Sequence, residues 1–153
     1  MERVDNELTR PVFVYGTLKS KERLHHFLKD QTYVGKATTL DSNFRLKEFA
    51  NSFPIAFRNT SDECKYKVRG EVYDLQDDEQ YQNVKLLEEN AGYKCVKTIV
   101  NLGNHFNEVV DMYVMEEKDI DFGNSALSDN CIRLRNGTQE WSKNYEMDRD
   151  SIR

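Results

Sequence analysis

Apolar positions fall in two periods along this chain. Val12-Phe13-Val14-Tyr15, opened by Pro11 and stopped by Gly16, is a short run of β-branched and aromatic residues and predicts a buried strand. A turn over Thr17 to Ser20 follows. KERLHHFLKD, residues 21–30, then places Leu24, Phe27 and Leu28 at helical spacing, with Ser20 as a candidate N-cap. Period-two patterns predict strands at 32–39, 43–49, 54–57 and 67–75, where KVRGEVYDL alternates Val68, Gly70 and Val72 against Tyr73. Asp77 with Gln80 three residues on predicts the start of a second helix. Tyr81, Val84 and Leu87 form its apolar face, and Asn90-Ala91-Gly92 ends it. Strands resume at 93–102 and 106–115, joined as a hairpin at Gly103-Asn104. Beyond Glu116 the chain turns polar and predicts loops with at most one short helix.

The helices do not alternate with the strands throughout. The predicted class is therefore α+β: a mostly antiparallel or mixed curved β-sheet with two helices packed against it. A length of 153 residues suits one domain, with a core over about residues 11–115 and a polar C-terminal extension over 116–153.

Composition narrows the function classes. The net charge is -5, and no clustered basic excess suggests nucleic-acid binding. No apolar run approaches the roughly 20 residues of a membrane span, and the first ten residues lack a signal-type apolar stretch. Three widely spaced cysteines (Cys64, Cys95, Cys131) include no CxxC pair and read as reduced thiols of a cytoplasmic protein. His25, His26 and His105 make no metal-ligand pattern, so neither a metal nor a cofactor is expected. Lys19, Lys21 and Arg23 read as a solvated helix start. Phe122 and Trp141 are candidates for a lid or for packing.

Two features could carry chemistry. The strand-turn-helix unit VFVYGTLKS would expose backbone N–H groups at Gly16, a position without a side chain, and such groups favour a small carboxylate. It lacks the GxxxxGK[ST] of a phosphate loop. The second feature is Glu88. At about 100° per residue, Glu88 lies roughly 60° from the centre of the apolar face of its helix, whereas Glu89 lies roughly 160° away. A carboxyl bordering a core has its charged form disfavoured, which raises its pKa toward the range of a general acid/base.

Tyr15-Gly16-Thr17-Leu18-Lys19 resembles the YGTLK signature of the γ-glutamylcyclotransferase-like superfamily, in particular its γ-glutamylamine cyclotransferase, AIG2-like branch. Phe53-Pro54-Ile55, Val68-Arg69-Gly70-Glu71-Val72-Tyr73, Leu86-Leu87-Glu88 and Tyr93 follow in that family's order. The resemblance implies a barrel-like sheet with flanking helices and a cofactor-free release of 5-oxoproline and an amine from a γ-glutamyl amide. It implies Glu88 as acid/base, and Tyr15, Gly16, Thr17, Leu18 and Tyr93 as substrate-binding residues. Lys85, Glu89 and Cys95 stand where the family commonly has Asp, Gly and Arg. The wall reading the departing amine is expected from residues 51–53 and the tail after Glu116. The partner is a small-molecule γ-glutamyl substrate, without nucleic acid or membrane, and the sequence does not fix the oligomeric state. The alternative is a non-catalytic binder of a small acid or peptide end on the same fold.

Overall fold

The computed structural model describes residues 10–16, 18–19, 25–28, 31–50, 52–58, 65–103, 106–116 and 126–142. Their strands are β1 (Pro11–Val14), β2 (Thr32–Thr39), β3 (Phe44–Phe49), β4 (Phe53–Arg58), β5 (Lys67–Asp74), β6 (Lys94–Asn101), β7 (Asn107–Glu116), β8 (Leu127–Ser128), β9 (Ile132–Arg135) and β10 (Thr138–Trp141). One α-helix, α1 (Asp78–Asn90), and a 3-10 turn (His25–Leu28) accompany them.

Five strands close a barrel. β1 pairs antiparallel with β5 and parallel with β7; β7 pairs with β6, β6 with β2, and β2 with β5. Because β1 is buried on both faces, it is read as a continuous apolar run. Phe13, Ala37, Val68, Val72, Val100, Val110 and Met112 fill the interior. Gly70 makes the closure possible. A Cβ there would stand 2.3 Å from the Val14 carbonyl oxygen and 2.9 Å from the Phe13 ring.

Outside the barrel, β4 joins β7 in parallel, and β3 and β8 continue from β4. On the other side β10 joins β5 in parallel, and β9 closes a hairpin on β10. A second core lies beneath α1, where Val84 meets Val12, Leu28, Ile55, Phe57 and Leu75. Asp77 caps the helix, accepting from the N–H groups of Glu79 at 2.9 Å and Gln80 at 3.5 Å. Arg10 anchors the same end, pairing with Asp78 at 2.5 Å and lying over the Tyr81 ring.

Four expectations change. The first predicted helix appears, where described, only as the 3-10 turn; Ser20, residues 21–24 and residues 29–30 lie outside the described residues. Residues 126–142 hold three strands rather than loops. Trp141 is 1% exposed and Cys131 4%, so the core runs well past residue 115, and Trp141 is core rather than lid. These strands escape sequence reading because their long-range partners are polar. Gln139 accepts from the Leu46 N–H at 2.7 Å, and the Trp141 indole donates to Glu48 Oε2 at 2.7 Å. Lys19 is also not solvated. It is 6% exposed, and its ammonium donates to the Trp141 carbonyl, so the loop after β1 is fastened to β10. Cys64, His105 and Phe122 lie outside the described residues. No helix among the described residues is long and apolar enough to cross a membrane.

Candidate active site

The end of α1 is built by backbone hydrogen bonds. The Tyr93 N–H donates to the Glu88 carbonyl at 3.1 Å, and the Gly92 N–H donates to the Glu89 carbonyl at 3.0 Å. This is a Schellman closure, with Gly92 in the left-handed region at φ 97. It leaves Glu88 in the last turn on the barrel side, half-buried, while Glu89 is exposed. The helix-face expectation for these two carboxylates agrees with that exposure.

The loop after β1 turns tightly, with the Lys19 N–H donating to the Gly16 carbonyl at 2.9 Å. Gly16 packs directly on β4: a Cβ there would stand 2.7 Å from Pro54 Cγ and 2.9 Å from Pro54 Cδ. The Leu18 carbonyl accepts from His25 Nδ1 at 3.0 Å, which ties the loop to the 3-10 turn.

Loop, helix end and β4 enclose a cavity of about 190 Å³. Tyr15, Gly16, Leu18, Glu88 and Tyr93 all line it, joined by Phe13, Val14, Phe53, Pro54, Leu87, Ala91 and Tyr113. Thr17 lies outside the described residues. Glu88 is the one charged side chain among these lining residues. Burial in this apolar wall pushes its carboxyl up to about 7. Such a group exchanges a proton readily near neutrality in either direction.

The tyrosines around it are committed as hydrogen-bond donors. Tyr15 Oη donates to the Tyr113 carbonyl at 2.5 Å and accepts from the Ala56 N–H at 3.3 Å. Tyr93 Oη donates to the Pro54 carbonyl at 2.9 Å. Burial, and then the neighbouring Tyr93 and Glu88, raise the Tyr15 pKa well above the phenolic range; burial and Glu88 do the same for Tyr93. Both rings therefore stay neutral and hold the walls in place, leaving Glu88 as the titrating group. Among the described residues no group of three His, Cys, Asp or Glu side chains is placed to hold a metal ion.

Of the wall expected from residues 51–53 and the tail after Glu116, Phe53 lines the cavity, whereas no described residue of 126–142 does; Pro54 lines it as well. Asn51 and residues 117–125 lie outside the described residues. Sequence reading missed Tyr113, because Asp111 lies two residues before it on the same strand face and marks that face as outward. Lys85 and Cys95 do not line the cavity. Burial, and then Asp111, raise the Cys95 thiol, so it is not an activated nucleophile.

A family model described as gamma-glutamyl cyclotransferase, AIG2-like, matches residues 12–141. The match ends with β10, which agrees with the core continuing to Trp141. No curated protein matches significantly. Among solved structures, an uncharacterised protein from Pyrococcus horikoshii is 20% identical, with 94% of this chain and 95% of that one covered and a TM-score of 0.57. An AIG2-like protein from Mus musculus is 21% identical, with 70% and 77% covered and a TM-score of 0.56. An Arabidopsis thaliana protein is 18% identical, with 97% and 87% covered and a TM-score of 0.60. At these identities the likenesses establish the fold.

Proposed function

This chain belongs to the gamma-glutamyl cyclotransferase, AIG2-like family, and on that premise we propose that it releases 5-oxoproline and a free amine from a γ-glutamylamine or related γ-glutamyl amide. The observation that supports this most is Glu88: a carboxyl pushed up to about 7 inside an apolar cavity whose other side is the Gly16 loop.

The reaction is intramolecular. The substrate's α-amine attacks its own γ-carbonyl, a C–N bond forms to close the five-membered lactam, and the γ-amide C–N bond breaks. Ionised Glu88 accepts a proton from the α-ammonium so that the nitrogen lone pair can attack, then returns a proton to the departing nitrogen before it leaves. A further proton lost by the attacking nitrogen is balanced by the amine's final protonation. The protein supplies no nucleophile; its work is positioning and proton transfer. The backbone of Tyr15 to Leu18 holds the α-carboxylate, and backbone N–H groups stabilise charge on the carbonyl oxygen. Tyr93, fixed by its bond to the Pro54 carbonyl, shapes the wall beside Glu88.

The test is incubation with a panel of γ-glutamyl amides that differ in the amine, with 5-oxoproline as readout. Formation of 5-oxoproline by wild type but not by Glu88→Gln supports the reading. Saturable binding without any turnover across the panel replaces it with the non-catalytic binder.

A further inference from the structure

Far from the Glu88 cavity in the strand order, the outer face of β2, β5, β10 and β9 carries an unusual concentration of positive charge. Alternation sets it up. Val68 and Gly70 face the barrel interior or the β1 backbone, so Arg69 faces outward; Ala37 and Thr39 are buried, so Thr38 does too. Thr38 lies opposite Arg69 in the β2–β5 register, and Arg69 Nη1 donates to Thr38 Oγ1 at 3.1 Å. Gln139 and Trp141 are buried, which turns Thr138 and Glu140 outward. Asn136 and Gly137, with φ of 52 and 76, make the hairpin turn that sets Arg135 opposite Thr138 and Arg133 opposite Glu140. These side chains, with that of Asn136, surround one open concavity of about 310 Å³.

Among the described residues, three guanidinium groups line this hollow with one carboxylate, that of Glu140, in a chain of net charge -5. Among the described residues, neither Arg69 nor Arg135 forms an ion pair with Glu140 or any other carboxylate. Charge on an edge strand discourages sheet-to-sheet association. That accounts for Arg133 and Arg135 on β9, which ends the sheet, but not for Arg69, which lies on β5 between β2 and β10. Planar guanidinium forks match tetrahedral oxyanions bidentately, and the Thr38 and Thr138 hydroxyls and the Asn136 carboxamide add neutral donors.

We propose that this face is a second binding site, for a small phosphate monoester or diphosphate. The site is independent of the activity proposed for Glu88, and it is tested on the full-length protein at constant ionic strength by titration with inorganic phosphate and pyrophosphate, followed by calorimetry and backbone amide shifts. Saturable binding is expected, with shifts centred on Thr38, Arg69 and residues 133–140. Arg69→Gln and Arg135→Gln should each weaken it about tenfold while leaving the melting temperature unchanged. A response to phosphate no different from that to sodium chloride, or one unaltered in both variants, would reduce the face to a solubilising surface. Binding of a single-stranded oligonucleotide without any binding of phosphate or pyrophosphate would overturn the small-molecule assignment in favour of nucleic acid.

Discussion

The amide of Tyr93 donates to the carbonyl of Glu88 at 3.1 Å, so the bond that closes α1 also joins two residues lining the cavity. Their separation is fixed by backbone rather than by side-chain packing. Gly92 lies between them at φ 97, a conformation that costs an ordinary residue strain.

Gly92→Ala is therefore expected to destabilise the protein by about 1 kcal/mol or more through backbone strain alone. No clash contributes, because the added Cβ would meet only Met115 Cε at 3.5 Å. Turnover should fall more than stability does, since the change shifts Glu88 against Tyr93. Thermal melts and rates measured together separate the two effects. Equal Tm and equal rate would mean that the helix end tolerates a different closure.

Gly16 is constrained differently. Its Cβ would strike the Pro54 ring at 2.7 Å, so Gly16→Ala should open the loop away from β4 and weaken ligand binding. Trimming the opposing ring offers a check. Pro54→Ala in the Gly16→Ala background should recover part of the loss, a positive coupling of the size seen between residues in contact, about 0.5–3 kcal/mol. Purely additive effects would show that Gly16 acts through something other than this contact.

The buried hydrogen bond between the Trp141 indole and Glu48 fastens the C-terminal hairpin to β3. Trp141→Phe keeps most of the ring but removes the donor from a carboxylate with no exposed surface. A loss of about 2–4 kcal/mol in chemical denaturation is expected. Glu48→Gln, which can still accept from the indole, should cost less. If Trp141→Phe unfolds at the wild-type denaturant midpoint, the hairpin is not integral to the fold.

Much of this architecture is written in local pattern. The bounds of β2 and β5 match the predicted runs within a residue, and burial alternates over residues 36–39 of β2 and 67–70 of β5. The helix wheel separates Glu88 from Glu89 because both belong to one regular element, and 100° per residue is enough to place them. What local pattern cannot carry is distance. The reason for Gly16 is Pro54, 38 positions along the chain, and the reason for Gly70 is the Val14 carbonyl. The strands at 132–141 are short, one of their inward side chains is the carboxamide of Gln139 and the partner of another is the Glu48 carboxyl, so no hydrophobic period marks them. Lys19, read as surface, is buried because its hydrogen-bond acceptor lies 122 residues away.

Because no described cluster of side chains suits a metal, activity should persist in a strong chelator and in a thiol reductant. Loss on chelation, restored by a single divalent ion, would require ligands from outside the described residues and a different mechanism.

The pH dependence of Glu88 gives the sharpest test. Its carboxyl is raised from 4.5 to about 7 by burial, so the ionised form is disfavoured in the folded protein. The sign follows directly. Below the unfolded pKa the group is protonated in both states and costs nothing; as pH rises through about 7 it ionises in the folded state as well, and the full burial penalty is then present. That penalty is on the order of 3 kcal/mol at most. Glu88→Gln should therefore match wild type in stability near pH 4 and exceed it at pH 8. Turnover runs the opposite way. The wild-type rate should rise with pH to a plateau above about 7, where the base is ionised. Glu88→Gln, which cannot move a proton, should lose roughly 10²–10⁴ in rate. The exposed Glu89 serves as control, and Glu89→Gln should change neither curve. A stability gain in Glu88→Gln with unimpaired turnover would show that the carboxyl is buried but idle. Loss of turnover in Glu89→Gln alone would move the acid/base to the other face of the helix.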